Sequence, residues 1–317
     1  MRANQRTSKW HVIVAIVTLT LLSPSFVSAQ SSPTQVICST KFQLSAGLTD
    51  VFGLIPGPNG NIWFFETVAY SEYRIAKATR DGNVTSFPIS GAPNRMTAAS
   101  DGNIWFTRSN NSTIARMTPA GSLTEFPLPN GNETPFGIAR GPDGNLWVTE
   151  STGNQILRIG LDGVVTGQFP IPTSSSNSSH IVAGQDGNLW FLENGTAAKK
   201  IGRITPSGTI TEFPLATTAS LQDIVAGPDG NIWFTENVAC VPYCSTSYYT
   251  KVLPDGSYTK FGPTTTIRAI TAGADGNLWA ILQYRFWYTV AQIKTDGTLT
   301  EFCPSFCNLF FNLGYGI

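Results

Sequence analysis

The sequence is short of charge: Asp, Glu, Lys and Arg make up 13% of its 317 residues, about half the share of an ordinary soluble domain. Twenty basic residues balance 20 acidic ones, and no basic stripe interrupts the balance. That excludes nucleic acid as a partner, because phosphate neutralisation supplies most of such affinity. Beyond the N-terminus no apolar run approaches the ~20 residues of a membrane helix. No segment carries a helical period with caps, which points to an all-β chain. Histidine is scarce, with two in the whole sequence, and cysteine stands at five. Gly (30) and Pro (20) are spread evenly and regularly, which excludes collagen and argues against disorder.

Arg2, Arg6 and Lys9 precede an apolar run over 12–22, Pro24 breaks it, and Val27-Ser28-Ala29 offers a small-residue cleavage site. This predicts a signal peptide over 1–29 and a mature domain over 30–317. The mature part carries 17 basic and 20 acidic residues, because only Arg2, Arg6 and Lys9 are lost. Gln35-Val36-Ile37 before Cys38 is no lipobox, so lipid anchoring is not expected. A secreted or periplasmic location is oxidising, and the cysteines are read accordingly.

One phrase recurs along the mature part. Asn59-Gly60-Asn61-Ile62-Trp63 is followed by Asp101-Gly102-Asn103-Ile104-Trp105, Asp143-Gly144-Asn145-Leu146-Trp147 and Asp186-Gly187-Asn188-Leu189-Trp190. Asp229-Gly230-Asn231-Ile232-Trp233 and Asp275-Gly276-Asn277-Leu278-Trp279 complete the series. The spacings are 42, 42, 43, 43 and 46 residues, a period that marks a repeat architecture. Within a unit, four short β-rich runs alternate with turn chemistry, as in Phe136-Gly137-Ile138-Ala139, Leu146-Trp147-Val148-Thr149-Glu150, Gln155-Ile156-Leu157-Arg158-Ile159 and 164–171. Asp-Gly between such runs signals a tight hairpin, since glycine takes positive φ without steric cost. Four antiparallel strands per unit predict a β-propeller blade, with the repeated Trp and Phe filling the gaps between blades.

Residues 45–302 hold six units of 43 residues. Upstream, Ser39-Thr40-Lys41-Phe42-Gln43-Leu44 copies a unit's fourth run; downstream, Tyr315-Gly316-Ile317 copies a first run. The chain is either a six-blade ring with terminal extras or six full blades plus an incomplete seventh formed by the two termini. We expect the second, which uses both end segments. Cys38 would then reach Cys303 or Cys307, while Cys240 and Cys244, in an insertion, would pair with each other if geometry permits. Cys-x3-Cys without a nearby His or second pair is a weak metal signal, and no metal site is expected.

Residues recurring from unit to unit are explained by the blade, so Glu66, Glu150, Glu193 and Glu236, which each end a second run, read as structural or solvated. Information lies where the pattern breaks at a position facing the axis. The first strand of a blade is innermost, and its opening pairs are Phe52-Gly53, Asn94-Arg95, Phe136-Gly137, Ser179-His180, Gln222-Asp223 and Arg268-Ala269. A ring would gather Arg95, His180, Asp223 and Arg268 with Phe52 and Phe136 round one opening, the description of a ligand site. The rival is a channel plugged by Arg95–Asp223 or Arg268–Asp223 pairs. On the same face, residues 238–247 carry Cys240, Pro242, Tyr243 and Cys244, and residues 283–288 set Tyr284, Phe286, Trp287 and Tyr288 around Arg285. Aromatic platforms with an Arg suit sugar faces, aromatic groups or carboxylates. Tyr284, Arg285 and Trp287 therefore join the expected binding residues.

The phrases Gly-Pro-Asp-Gly-Asn-Leu-Trp-Val-Thr-Glu (141–150), Ile-Gly-Arg-Ile-Thr-Pro (201–206) and Thr-Glu-Phe-Pro-Leu (211–215) resemble the streptogramin B lyase family over nearly the whole mature chain. Looser versions occur in NHL-repeat and gluconolactonase-like propellers. The resemblance implies a seven-bladed propeller and a Mg-assisted elimination that opens a cyclic depsipeptide antibiotic. The family's machinery places His one before the first-strand Gly, as Pro-His-Gly-Ile, with a Glu in the last blade. Here the one mature histidine, His180, occupies the Gly position in Ser178-Ser179-His180-Ile181, and no seventh turn phrase follows. Elimination needs a general base within reach of an acidic C–H. The expectation is therefore a monomeric, exported propeller binding a glycan, peptide or small aromatic ligand, without cofactor. The alternatives are a lyase using His180 with Glu193 and Mg, and a structural or protein-interaction disc.

Overall fold

The computed structural model describes residues 48–302, apart from 70–71, 110–111, 130–133, 197, 241–243 and 285–287. Among the described residues, six antiparallel sheets each contain four strands in chain order. They cover 50–89, 93–127, 135–170, 178–215, 220–264 and 266–302, numbered here as blades 1 to 6. The molecule is a six-blade β-propeller of four-stranded blades; the end segments 39–44 and 315–317 lie outside the described residues.

Blade 3 shows why the sequence folds this way. Its strands are Pro135–Arg140, Leu146–Glu150, Gln155–Ile159 and Val165–Pro170. In the first turn, the Asp143 carboxylate accepts the Asn145 backbone N–H (3.2 Å), the Asn145 side-chain amide (2.9 Å) and the Trp147 indole N–H (3.0 Å). Gly144 has φ 80° and open space where a Cβ would stand, so backbone conformation requires it. Gly141 is required for room, because a Cβ there would lie 2.4 Å from Trp147 Nε1. Asp101, Asp186, Asp229 and Asp275 repeat the indole bond, each at 3.1 Å.

The core lies between blades. Five apolar clusters join blades 1–2, 2–3, 3–4, 4–5 and 5–6. Trp63, Trp105, Trp147, Trp190 and Trp233 are buried at these seams. Each stacks on its own blade's fourth-strand Phe, with centroids 5.1 to 6.2 Å apart. Each Phe also lies against the Gly of the next blade's last turn, as Phe126 does against Gly163, where a Cβ would stand 2.0 Å from the ring. A third-strand cation covers each stack and donates to that turn: Lys77 to the Pro119 carbonyl, Arg116 to Leu161, Arg158 to Pro206, Arg203 to Pro254 and Lys251 to Thr295. Burying one Phe in such a seam contributes about 1.5–3 kcal/mol, and the cation holds the seam in register.

Blade 6 breaks the series. Gln292 stands in place of the cation and donates to Asp275 of its own blade at 2.8 Å. Trp279 is partly exposed, unlike its five counterparts. On blade 1, the face turned away from blade 2 buries Phe64, Ala76 and Ala78 with Val51, Ile62 and Val84, all from blade 1 itself.

Candidate functional site

The opening pairs of the first strands sit at β-bulges. Pairing of first and second strands shifts register between Phe52 and Ile55, Pro93 and Met96, Ser178 and Ile181, Leu221 and Ile224, and Ile267 and Ala269. In blade 3 the shift falls between Val148 and Glu150, opposite Phe136 and Gly137. A bulge inserts an unpaired residue and re-aims its side chain, so one backbone irregularity per blade turns the deviant residues inward. A threonine two places after the Trp fills three of these bulges. Thr107 Oγ1 accepts the Arg95 N–H (3.2 Å) and donates to the Phe136 carbonyl of the next blade (2.6 Å). Thr149 likewise accepts from Gly137 (2.9 Å) and donates to Ser179 of blade 4. Thr235 accepts the Asp223 N–H at 3.2 Å.

Three predicted residues meet directly. Arg95 of blade 2 contacts His180 of blade 4 across blade 3, guanidinium Nη2 to imidazole Nε2, which requires the bulges to face a common centre. Phe136 of blade 3 completes the group: Arg95 lies over its ring at 5.2 Å, and the His180 ring meets it edge-on at 5.2 Å. A guanidinium only donates. Nε2 therefore accepts, and neutral His180 carries its proton on Nδ1, which is buried without a partner. Burial, then the charge of Arg95, hold His180 well below the usual imidazole range. Burial also lowers the Arg95 pKa, against the pull of Asp223.

Asp223 of blade 5 joins through charge. Its carboxylate accepts the Ile224 N–H (3.1 Å) and the Ile270 N–H of blade 6 (3.2 Å). Burial nevertheless raises its pKa, with Arg95 opposing. Among the described residues no direct ion pair links Asp223 to Arg95 or Arg268; Arg95 and Asp223 attract each other without touching. Arg268 is exposed and donates from Nε to Gln283 Oε1. Phe52 packs on Phe65 in its own blade at 5.3 Å. Tyr284 donates its hydroxyl to Glu301 (2.8 Å), and burial and that carboxylate raise its pKa. Arg285 and Trp287 lie outside the described residues.

The insertion at 238–247 is a strand extension: Ile232–Cys240 pairs with Cys244–Val252 up to Cys240 opposite Cys244. The side chains of this Cys pair, and Cys38, Cys303 and Cys307, lie outside what is described. The recurring second-strand acids are not solvated; Glu66, Glu150, Glu193 and Glu236 are all buried. Glu236 pairs with Lys260 (2.8 Å) and Thr250 (2.8 Å). Glu193 is buried beside Glu212, and burial, then the Glu212 charge, pushes its pKa up to about 8 against the pull of Lys200. Glu212 takes Lys200 (3.0 Å) and the Thr173 hydroxyl (2.8 Å). No hydrogen bond joins Glu193 to His180.

Mg2+ demands near-octahedral oxygen ligation. Beside the Arg95 guanidinium the described residues bring only one carboxylate, that of Asp223, so this group offers too few oxygen ligands for that ion. Among the described residues no group of three or more His, Cys, Asp or Glu gathers to hold a metal. A cavity of about 280 Å³ lined by Ile55, Pro56, Met96, Thr97 and Ala98 lies at the opposite ends of the first strands.

Four-stranded blades whose bulged first strands bring a cation, an imidazole and a carboxylate near one another define a propeller with a polar centre. Residues 37–303 match the virginiamycin B lyase family, and the chain belongs to it. A virginiamycin B lyase of Nocardia farcinica is 31% identical over 88 residues, 28% of this chain and 30% of that one. The chain thus spans less than a third of that curated relative. Among solved structures, a catalytically inactive virginiamycin B lyase from Staphylococcus aureus with quinupristin is 31% identical, with a TM-score of 0.71 over 82% of this chain and 86% of that one. A streptogramin B lyase structure is 28% identical, with a TM-score of 0.71 over 83% and 86%. No described helix is long and apolar enough to cross a membrane.

Proposed function

We propose that this protein is an exported propeller that binds a small-molecule, glycan or peptide ligand at its central mouth and does not open cyclic depsipeptides. The Arg95–His180 contact carries this reading. It occupies Nε2, and burial keeps the imidazole neutral with its proton on Nδ1, so no basic nitrogen is offered to a substrate C–H. The same group suits binding: Arg95 and Phe136 present a cation and a ring, and His180 Nδ1–H seeks an acceptor. Phe52, Asp223, Arg268, Tyr284, Arg285 and Trp287 supply the rim.

Export through a signal over 1–29, a monomeric state, and bridges from Cys38 to Cys303 or Cys307 and from Cys240 to Cys244 belong to this proposal. So does an incomplete seventh blade from 39–44 and 315–317, supported by the odd trailing face of blade 6 and the apolar face of blade 1.

A second reading, a streptogramin B lyase using His180, Glu193 and Mg, is favoured by the 31% identity to the S. aureus protein. Quinupristin separates the two. Incubated with purified mature protein and Mg2+, it is expected to be recovered cyclic by mass spectrometry; linear product that disappears with His180→Ala would overturn the proposal. Glycan-array binding should fall with Phe136→Ala and with Trp287→Ala. Protein pull-down unaffected by either substitution would favour an interaction disc instead.

A further inference from the structure

The turn of blade 1 departs from its five counterparts in one residue, and three consequences converge there. Position 59 is Asn where the others have Asp. The Trp63 indole N–H is buried and has no acceptor, whereas each of the other five reaches its Asp at 3.0 to 3.1 Å. In the other turns the Gly N–H donates to the carbonyl three residues back, as Gly144 does to Gly141 at 3.1 Å. In blade 1 residues 58–60 instead form one turn of 3-10 helix that closes with Asn61 donating to Pro58 (3.3 Å), and Asn59 sits inside it in the left-handed region. Asn59 is exposed, has φ 59°, and its side chain makes no hydrogen bond among the described residues. The guanidinium of Arg80 lies against Gly60, its Nη2 2.6 Å from where a Cβ would stand.

We propose that Asn59 is a site of spontaneous covalent modification, in which this turn deamidates to the acid its sister blades already carry. The Gly60 nitrogen attacks the Asn59 side-chain carbonyl carbon, forming a C–N bond. The Cγ–NH2 bond breaks, and the amide leaves as ammonia with the proton from Gly60. Water then opens the cyclic imide. Cleavage of the new C–N bond gives an aspartyl residue; cleavage at the former main-chain carbonyl gives its isoaspartyl isomer. The sum is amide plus water to carboxylic acid plus ammonia, with no oxidant or reductant. Glycine at position 60 leaves the attacking nitrogen unhindered. The aspartyl product supplies the acceptor that Trp63 lacks and sets a carboxylate beside Arg80, so the fold favours it over the isomer, which lengthens the turn.

Asn194-Gly195 provides a control within the same chain. The Asn194 side chain is held at both ends by Leu221, donating to its carbonyl (2.9 Å) and accepting its N–H (2.9 Å). The test is incubation of the full mature protein in mildly alkaline buffer, with digestion and mass spectrometry of the peptides containing Asn59 and Asn194, beside a free synthetic peptide of residues 57–63. Asn59 is expected to convert at least about tenfold faster than Asn194, since two hydrogen bonds must break before Asn194 can react. An Asn59 that keeps its amide while the free peptide converts, or that converts no faster than Asn194, would overturn the proposal. The variant Asn59→Asp tests the product's fit: a higher unfolding midpoint than wild type is expected, and a lower one would refute the pairing with Trp63.

Discussion

Single residues in the first turn of each blade bear more than their exposed position implies. Asp143 satisfies three donors, one of them the indole N–H of fully buried Trp147. Asp143→Ala leaves that N–H buried and unpaired, which costs about 1–3 kcal/mol. Urea unfolding should show a lower midpoint at unchanged slope. Asp255→Ala, in a turn where the carboxylate takes only the Ser257 N–H and hydroxyl, should lose well under half as much; equal losses would refute the indole's role. The spacing Asp-Gly-Asn-x-Trp is plain in the sequence. That the indole folds back onto the first residue's carboxylate is not, because turn curl and strand pleat set that contact. The recurring acids, structural or solvated by sequence, are all buried; an acid at a strand end reads equally as exposed or buried until its tertiary surroundings are known.

Elements made the site harder to read than residues did. Lining up the units on the turn correctly brings Arg95, Phe136, His180 and Asp223 into one neighbourhood. It does not reveal the bulge that points them inward, nor the threonines at 107, 149 and 235 that fill it, because Thr in a strand reads as ordinary β preference. Arg268 satisfies the same alignment, and Tyr284 reads from the sequence as part of a loop on the same face, yet they turn to Gln283 and Glu301, local partners that no ring argument weighs. The second-strand end of blade 4 yields a pH prediction. Glu193 holds its proton to about pH 8 in the folded state, against about 4.3 for a free Glu. Between those values the folded protein binds the extra proton, so this group's contribution is complete below the unfolded pKa and is lost as pH rises through the folded one. The amount is on the order of a few kcal/mol. His180, held neutral, acts oppositely: its contribution is present above the imidazole's unfolded pKa and fades as pH falls. Comparison with Glu193→Gln isolates the first effect. Denaturant stability measured at about pH 5 and about pH 9 should fall more in wild type than in the variant, and parallel profiles would exclude a buried protonated Glu193.

For the whole molecule, the period and the four-run unit are legible because each seam is built from residues that repeat: a Trp, a Phe, a cation and a turn glycine. The sixth blade's trailing face is visible in the same alignment as Gln292 in the cation's place, but its meaning appears only once the cation is seen reaching into the next blade. A ring whose five seams share one kit has an asymmetric end, and the proposed partner there is a stunted seventh blade whose outer strand is 39–44. That assignment gives Phe42 a definite task. In blades 1 to 5 the fourth-strand Phe lies against the next blade's turn glycine, so Phe42 would lie against Gly82 of blade 1, which has the same positive φ as its counterparts (86°). Phe42→Ala should then destabilise by about 3 kcal/mol, as a seam Phe does, and should match Phe126→Ala measured alongside. If the segment is only a terminal extra, the substitution removes surface atoms and shifts stability by no more than about 0.5 kcal/mol. Chemical unfolding of the two variants distinguishes a ring closed by its own ends from a six-blade ring that needs no closure.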